Sequence, residues 1–463
     1  MRDLMFALAM LLAIPLAIAR PINAYYLWGW TAVLIPTSYF YGFMASARLN
    51  LVFAVLTLAL VALGRVKWKD YQPNRVTWLY LLFLAHATMA FLFGYAGNPD
   101  NARYYEFLAK IMLFCLLMPL FVNTRLRMHV MLLVIVLGLG LHGVLEGLKT
   151  ISSGGAHNMY GPAGTMISDR NHLSTALALV LPIIYYLYFY SANPMIRTGM
   201  LAAFALVAVA IMGGGSRGGF LALAIVGFWL VMTTRHRWLT LFLVGALCLS
   251  FYFFVPQEWT DRLSTIQEAN EDASFMGRVV AWKVSSAIAL SHPIFGAGFH
   301  AVQVNNIWDM FKESPGLLGF LDLPVPTFSA KAAHSIYFEV MGDMGFVGLF
   351  LFLTILLQSI HSRFAIKRMV KELEGTEYLW ARDLADMLML SVIAYMAGGA
   401  AVSLGYFEVV YMVIMLMELL RLHVTRQLTE KRQQQKSDIK ANAVGKIAAS
   451  AAMRGTKSTL GGD

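Results

Sequence analysis

Apolar residues run through this chain in long continuous blocks separated by short polar turns. The blocks fall near residues 4–20, 24–43, 48–64, 76–94, 104–122, 128–149, 171–190, 196–213, 218–234, 238–255, 335–360, 384–402 and 405–423. A bilayer core of about 30 Å needs about 20 residues of helix, so each block is long enough to span or nearly span it. Strands of a membrane barrel would alternate over about ten residues, and these blocks do not alternate. The pattern therefore predicts an all-α polytopic membrane protein. Thirteen crossings would put the two termini on opposite sides. Pro15, Pro21 and Pro36 interrupt the first blocks, which predicts broken half-helices there and about 12 transmembrane helices in all. The first block ends Ala17-Ile18-Ala19 in the manner of a signal-peptidase site. Arg20-Pro21 follows at once and Met1-Arg2-Asp3 carries little positive charge, so it reads as a first membrane segment.

Composition agrees with the pattern. Of 463 residues 59% are hydrophobic and only 13% charged, where soluble domains carry about 25% charge. Thirty Phe, 20 Tyr and 10 Trp exceed what one core needs, and many sit at block ends as an interfacial aromatic belt does. Cys115 and Cys248 both lie within apolar blocks and suggest neither a disulfide framework nor a metal cluster.

Lys and Arg decide orientation. Arg65, Lys67, Lys69 and Arg75, then Arg125 and Arg127, Arg197, Arg235 and Arg237, and Arg363, Lys367, Arg368 and Lys371 mark loops that share one face, read as cytoplasmic. From Arg421 to Asp463 nine Lys/Arg stand against three Asp/Glu, a basic tail on that same side. It reads as a disordered, solvated or lipid-facing segment and not as a nucleic-acid site. The organisation expected is N-terminal helices over 1–150, central helices with arginine-bearing turns over 151–255, one large, partly helical loop on the opposite face over 256–334, C-terminal helices over 335–423 and the tail over 424–463. The loop holds eight Asp/Glu against five Lys/Arg. A loop of that length between two spans usually carries function.

Charged residues at block ends on the loop's side are few. In Ser168-Asp169-Arg170-Asn171-His172, Ser168 or Asp169 serves to cap the helix that follows. Arg170 has no such use: a helix N-terminus is the wrong end for a cation unless an anion binds there, although snorkelling to the interface is the alternative. Met212-Gly213-Gly214-Gly215-Ser216-Arg217-Gly218-Gly219-Phe220 formally contains G-x-G-x-x-G. It lacks the strand and βαβ unit that a dinucleotide fingerprint requires. What remains is a glycine-rich turn at a helix start with Ser216 and Arg217, suited to phosphate oxygens, against the plainer reading of a tight turn with an interfacial arginine. Arg278 is expected to open a helix with apolar positions 279, 280, 284, 287 and 288 on one face. Trp282 lies on that helix, and an ion pair of Arg278 with Glu271 or Asp272 competes with anion binding. His334, at the end of the loop, is expected at the depth of Arg170 and Arg217, where a neutral imidazole can take a proton from a hydroxyl; Glu339 or Asp343 are candidates to orient it. No metal-ligand or P-loop motif is present. Glu106, Glu146, Glu339, Glu408 and Glu418 form no evident relay for ion-coupled transport.

Gly214-Gly215-Ser216-Arg217-Gly218, then Arg278, Trp282, Pro293 and Gly296-x-Gly298, then His334-Ser335-x-Tyr337, resemble the O-antigen ligase and polymerase family of bacterial inner-membrane glycosyltransferases, chiefly over residues 160–350. The region through about 150 is similar to a family variant that includes protein O-glycosylation ligases. The resemblance implies a multi-pass inner-membrane enzyme with its active site facing the periplasm. It implies transfer of a glycan from an undecaprenyl-diphosphate donor to an acceptor hydroxyl, of lipid A core or of a protein. By position, Arg217 matches the family's loop arginine and His334 its loop-terminal histidine, and Arg170 and Arg278 match its other basic positions. Arginines without a metal motif agree with a metal-independent, inverting displacement in which Arg217 and Arg170 hold the diphosphate, His334 activates the acceptor, and Ser216, Arg278 and Trp282 contribute to substrate binding. No cofactor is expected. A polymerase and a lipid-linked oligosaccharide transporter are the alternatives. The transporter would place functional charges deep within spans rather than at one interface.

Overall fold

The computed structural model describes residues 1–95, 97–233, 238, 241–242, 245, 273–321 and 329–458. Among the described residues there are helices and turns but no strand. The N-terminal helices are α1 (Arg2–Ala19), α2 (Pro21–Leu34), α3 (Leu49–Ala62), α4 (Arg75–Leu92), α5 (Asn101–Phe121), α6 (Arg125–Ile135) and α7 (Leu141–Ser152), the last two continuous through a π turn. Next come α8 (Arg170–Tyr190), α9 (Pro194–Gly213) and α10 (Arg217–Thr233), then α11 (Ala273–Ser291) and α12 (Asn305–Phe311) in the long loop. The chain ends with α13 (Ile336–Leu373), α14 (Leu379–Gly399) and α15 (Glu408–Ser458). Seven helical stretches among the described residues are long and apolar enough to cross a membrane: α1, α4, α5, α6–α7, α8, α9 and α13. Shorter apolar helices are α3 and α10. The block at 238–255 lies almost wholly outside the described residues.

The prolines act unequally. Pro21 starts α2 after the extended Arg20, and Pro36 follows the left-handed Ile35, so the chain breaks at both. Pro15 sits inside an unbroken α1. α1 buries only Ala17 and exposes Leu4, Leu8, Leu11 and Leu12, the surface of a helix that faces lipid. α8 is the opposite, buried at every residue from Leu173 to Leu187 and packed against α9, α10 and α14.

Two further expectations are corrected. The tail expected to be disordered from 424 continues helical, in α15, to Ser458. Arg278 does not open its helix: α11 already runs from Ala273, so Arg278 lies in its second turn. The apolar face of α11 is where the pattern put it, with Val279, Val280, Val284, Ala287 and Ile288 buried. α11 packs against α13.

At 38 residues α13 is about 57 Å long, more than one bilayer core. It is broken at Gly345, whose φ of 69° and ψ of −171° leave the helical region. Broken helices need their freed backbone groups met elsewhere. Here the Pro293–Phe299 segment does so. Ala297 N–H donates to Gly342 O at 3.0 Å, Gly298 N–H to Asp343 O at 3.1 Å, and Phe346 N–H to Pro293 O at 2.9 Å. From α4, His86 Nε2 donates to Met344 O at 3.0 Å. A Cβ on Gly345 would stand 2.6 Å from Pro293 O, so only glycine fits this close crossing. The Pro293…Gly298 motif thus serves to dock the long loop into the break of α13, and Phe299 N–H, bonded to Asn101 Oδ1 at 2.9 Å, ties it to the start of α5.

Candidate functional site

His334 stands at the last turn before α13 with a φ of 44°, a left-handed conformation that costs a non-glycine residue about 1 kcal/mol or more. Its neighbours hold it there. Trp282 Nε1 donates to Ala333 O at 2.6 Å while its ring stacks on Phe338, centroids 5.2 Å apart and 7° from parallel. His334 N–H donates to Ser403 Oγ at 2.9 Å, and Tyr337 Oη donates to Met396 O at 2.9 Å. Strain fixed by this many contacts is characteristic of functional positions.

The His334 ring lies 6.4 Å from that of His172, inclined by 20°, and His172 Nδ1 is 3.8 Å from Asp169 Oδ1. Each ring keeps one buried nitrogen, Nδ1 of His334 and Nε2 of His172, with no protein partner. Buried polar atoms are rarely left so, and these mark where a bound molecule or water would complete the site. Burial, then the positive charge of Arg278 and the neighbouring His172, push His334 down to about 4, so at neutral pH it is an uncharged imidazole able to accept a proton.

Beside this pair is a cavity of about 340 Å³. His172 and Asp169 form one wall; Ala332, Ser403 and Glu339 form the wall next to His334, which does not itself line the cavity. Arg103 and Tyr104 from the start of α5 close the third side together with His300 and Gln303. His300 is a second left-handed histidine, with a φ of 63°. Its ring stacks on Tyr104 at 4.3 Å, and Nδ1 meets Asp100 Oδ2 at 3.1 Å. Burial holds His300 below the usual histidine value despite Asp100. Glu339 does not bond to the His334 ring. Its Oε2 accepts Gly405 N–H at 2.8 Å, and one turn on Asp343 Oδ2 accepts the Tyr406 hydroxyl at 2.8 Å.

The arginines fall around this end of the bundle in different roles. Asp169 caps α8, accepting Asn171 N–H at 2.7 Å, so Arg170 is the helix's first residue. Ser216 is buried and caps α10 in the same way, accepting Gly219 N–H at 3.1 Å, so Arg217 is the first residue of α10 and is exposed. The glycines of this turn serve helix approach. A Cβ on Gly219 would stand 2.4 Å from Ser174 Cβ, and one on Gly218 3.2 Å from both Gly398 O and Ala401 Cβ. They bring the start of α10 against the start of α8 and the turn leading to Ser403. Two helix N-termini, each headed by an arginine, therefore lie side by side near the cavity, a favourable setting for an anion. Neither Arg170, Arg217, Arg278 nor Trp282 lines the cavity itself. Arg278 is close enough to act electrostatically on both His334 and His172. Glu271 and Asp272 lie outside the described residues.

Sequence reasoning missed Arg103, Tyr104, His300 and Ser403, and gave His172 no role. Asp100 and Arg103 were legible as charges at a block end on the same side. The contact of α5 with the loop joins residues some 200 apart, and no local pattern announces it. Residues 1–192 match a family of unknown function, and residues 202–353 match the model of the O-antigen ligase family. No curated protein matches the chain. The cavity draws Arg103 and His172 from the first region and His300 and Glu339 from the second, with Ser403 beyond both. Ser216, Arg217, Arg278, Trp282 and His334 all fall within 202–353, the region in which the chain is similar to the O-antigen ligase family.

Proposed function

We propose that this multi-pass membrane protein is a glycan ligase. It moves a glycan from undecaprenyl diphosphate to a hydroxyl of lipid A core at the periplasmic face of the bacterial inner membrane, with its C-terminus in the cytoplasm. The observation that carries this reading is the meeting, at one end of the bundle, of two arginine-headed helix starts with a strained, uncharged histidine beside a cavity. A diphosphate leaving group needs its growing charge met, and Arg217, Arg170 and Arg278 supply positive charge around the cavity. In an inverting displacement the acceptor oxygen forms the new bond to the anomeric carbon as the bond to the diphosphate oxygen breaks. His334 takes the acceptor's proton and the diphosphate departs with the electron pair. His172, stacked on His334 and facing the cavity, is a positioning residue. Trp282 acts through Ala333 on the His334 backbone. Ser216 acts through its cap on the helix that presents Arg217.

The test incubates purified protein with undecaprenyl-diphosphate glycan and lipid A core in the presence of chelator, and follows the glycosylated lipid on a gel. Product from the wild type that is lost with His334→Ala and Arg217→Ala supports the assignment and its independence of metal. Glycan appearing only on an added protein acceptor would move the function to protein O-glycosylation, and elongation of the glycan itself would move it to a polymerase.

A further inference from the structure

One face of α5 borders two cavities. Arg103 and Phe107 line the cavity beside His334, while Phe107, Lys110, Ile111 and Phe114 line a second cavity of about 310 Å³. Spacings of three and four residues keep these side chains on one helical face, a path of about 16 Å from Arg103 to Phe114. The second cavity lies between α2, the Ala47-Arg48 turn before α3, α5 and the start of α15, and its surface is mostly apolar. Its wall is built of close-packed aromatics. Phe114 stacks on Tyr25 at 4.4 Å and meets Trp28 edge-on at 5.1 Å, and a Cβ on Gly29 would be 2.9 Å from Phe114 Cζ. The charged groups at this cavity are few. Arg48 is exposed at its edge, Lys110 is paired with Glu106 at 2.5 Å on the exposed side, and Glu408 sits at the N-terminus of α15, where the helix dipole favours a carboxylate.

A preformed, mostly apolar cavity with aromatic walls takes hydrocarbon. Because Phe107 borders both cavities, the second lies within reach of the chain of a molecule whose anionic head is held in the first. The second cavity is small for a ligand pocket and admits one chain, not the several acyl chains of a lipid A type acceptor. We infer that it holds the isoprenoid chain of the polyprenyl-diphosphate donor, led from headgroup to tail along the Arg103–Phe107–Phe114 face of α5. This rests on the donor assigned above. It gives the region that matches the family of unknown function a task, the grip on the donor's lipid.

The test uses the full chain in detergent with a polyprenyl phosphate bearing a diazirine on an isoprene unit near the phosphate, irradiated, digested and read by mass spectrometry. Label is expected on the α2 and α5 peptides that contain Trp28–Pro36 and Phe107–Cys115. It should fall about fivefold or more in Ala32→Phe, and likewise in Ala47→Phe, each of which fills the cavity from a different wall. Label on other helices, label unchanged in both variants, or equal competition by phosphatidylglycerol would overturn the inference. In the transfer assay, the preference for long-chain over short-chain donors should shrink about tenfold in the same variants. Labelling as described without transfer to any acceptor would leave the lipid site standing and remove the ligase reading. Transfer with labelling elsewhere would do the reverse.

Discussion

Helix α13 meets charged chemistry at both ends, roughly 40 Å apart along the helix at 1.5 Å per residue, and handles it in opposite ways. At the far end Arg363 and Lys367 both reach Asp386, at 2.6 and 3.4 Å, and Glu418 is held by Arg421 at 2.6 Å and by the Ser362 hydroxyl at 3.0 Å. Tyr190 donates to Asp383, which also pairs with Arg382. Each of these three carboxylates has a cation beside it, and the group serves to pin α8, α13, α14 and α15 together. At the near end Arg103, Arg170, Arg278 and Lys331 stand with Asp100, Asp169 and Glu339 around a cavity, and two histidines beside it adopt left-handed backbones. Charge balanced inside the protein is a fastening. Arginines set at helix starts beside a cavity fit an incoming anion.

The comparison breaks most readily at His334. His334→Ala is expected to reduce kcat/KM for transfer about 10³-fold while leaving the thermal midpoint nearly unchanged, measured on folded, purified protein. Near-normal transfer in this variant would show that the strained turn has a purely structural use. The wild-type pH profile sharpens the point. In the free protein His334 is held at about 4, so the acid limb of kcat/KM should lie near pH 4 instead of near 6.5. A diphosphate bound there, as proposed, would offset the field of Arg278, so the limb of kcat should lie higher. The same shift bears on stability. A folded value below the unfolded one means that the unfolded chain takes the proton first, so this group destabilises the fold as pH falls from about 6.5 towards 4 and contributes nothing above that window.

At the far end the expectation reverses. The side chains of Arg363 and Asp386 are 13% and 16% exposed, buried enough for the pair to matter. Asp386→Asn would leave two cations facing each other and cost about 2 kcal/mol of stability, read as an earlier thermal transition in detergent. Transfer per folded molecule should stay within about twofold of wild type. A large loss of transfer with an unchanged transition would mean that the two ends are coupled.

Much of this contrast could be read from the sequence, for reasons that differ by residue. Long apolar blocks, the breaks at Pro21 and Pro36, and Arg170 and Arg217 at helix starts are local facts that periodicity and capping chemistry expose. The uninterrupted Pro15 helix, the helical tail and the position of Arg278 in a second turn were misjudged, because helix boundaries and proline kinks depend on what packs nearby. The break of α13 at Gly345 was invisible, since its stability comes from Pro293, Ala297, Gly298 and His86, distant in the chain. The third wall of the cavity escaped for the same reason. Arg103 and Tyr104 become site residues only once Asn101 has docked the loop onto α5.

The smallest expected effect tests how the near end keeps His334 in place. Trp282→Phe preserves an aromatic ring against Phe338 but removes the indole N–H that holds Ala333 O at 2.6 Å. Without that bond the residue before His334 loses one of the contacts that keep the left-handed turn, and the ring spends more time away from its burial beside Arg278 and His172. About a tenfold loss of kcat is expected, with KM little changed, because a positioning contact acts on the transition-state geometry more than on binding. A merely structural role for Trp282 would lower the thermal midpoint and the yield of active protein but leave the pH profile where it was. A positioning role moves the acid limb of kcat/KM upward from about 4, since an imidazole released towards solvent returns towards its ordinary value. A loss of kcat with an unmoved limb would therefore detach Trp282 from His334 and return the near end of α13 to the same kind of fastening as the far one.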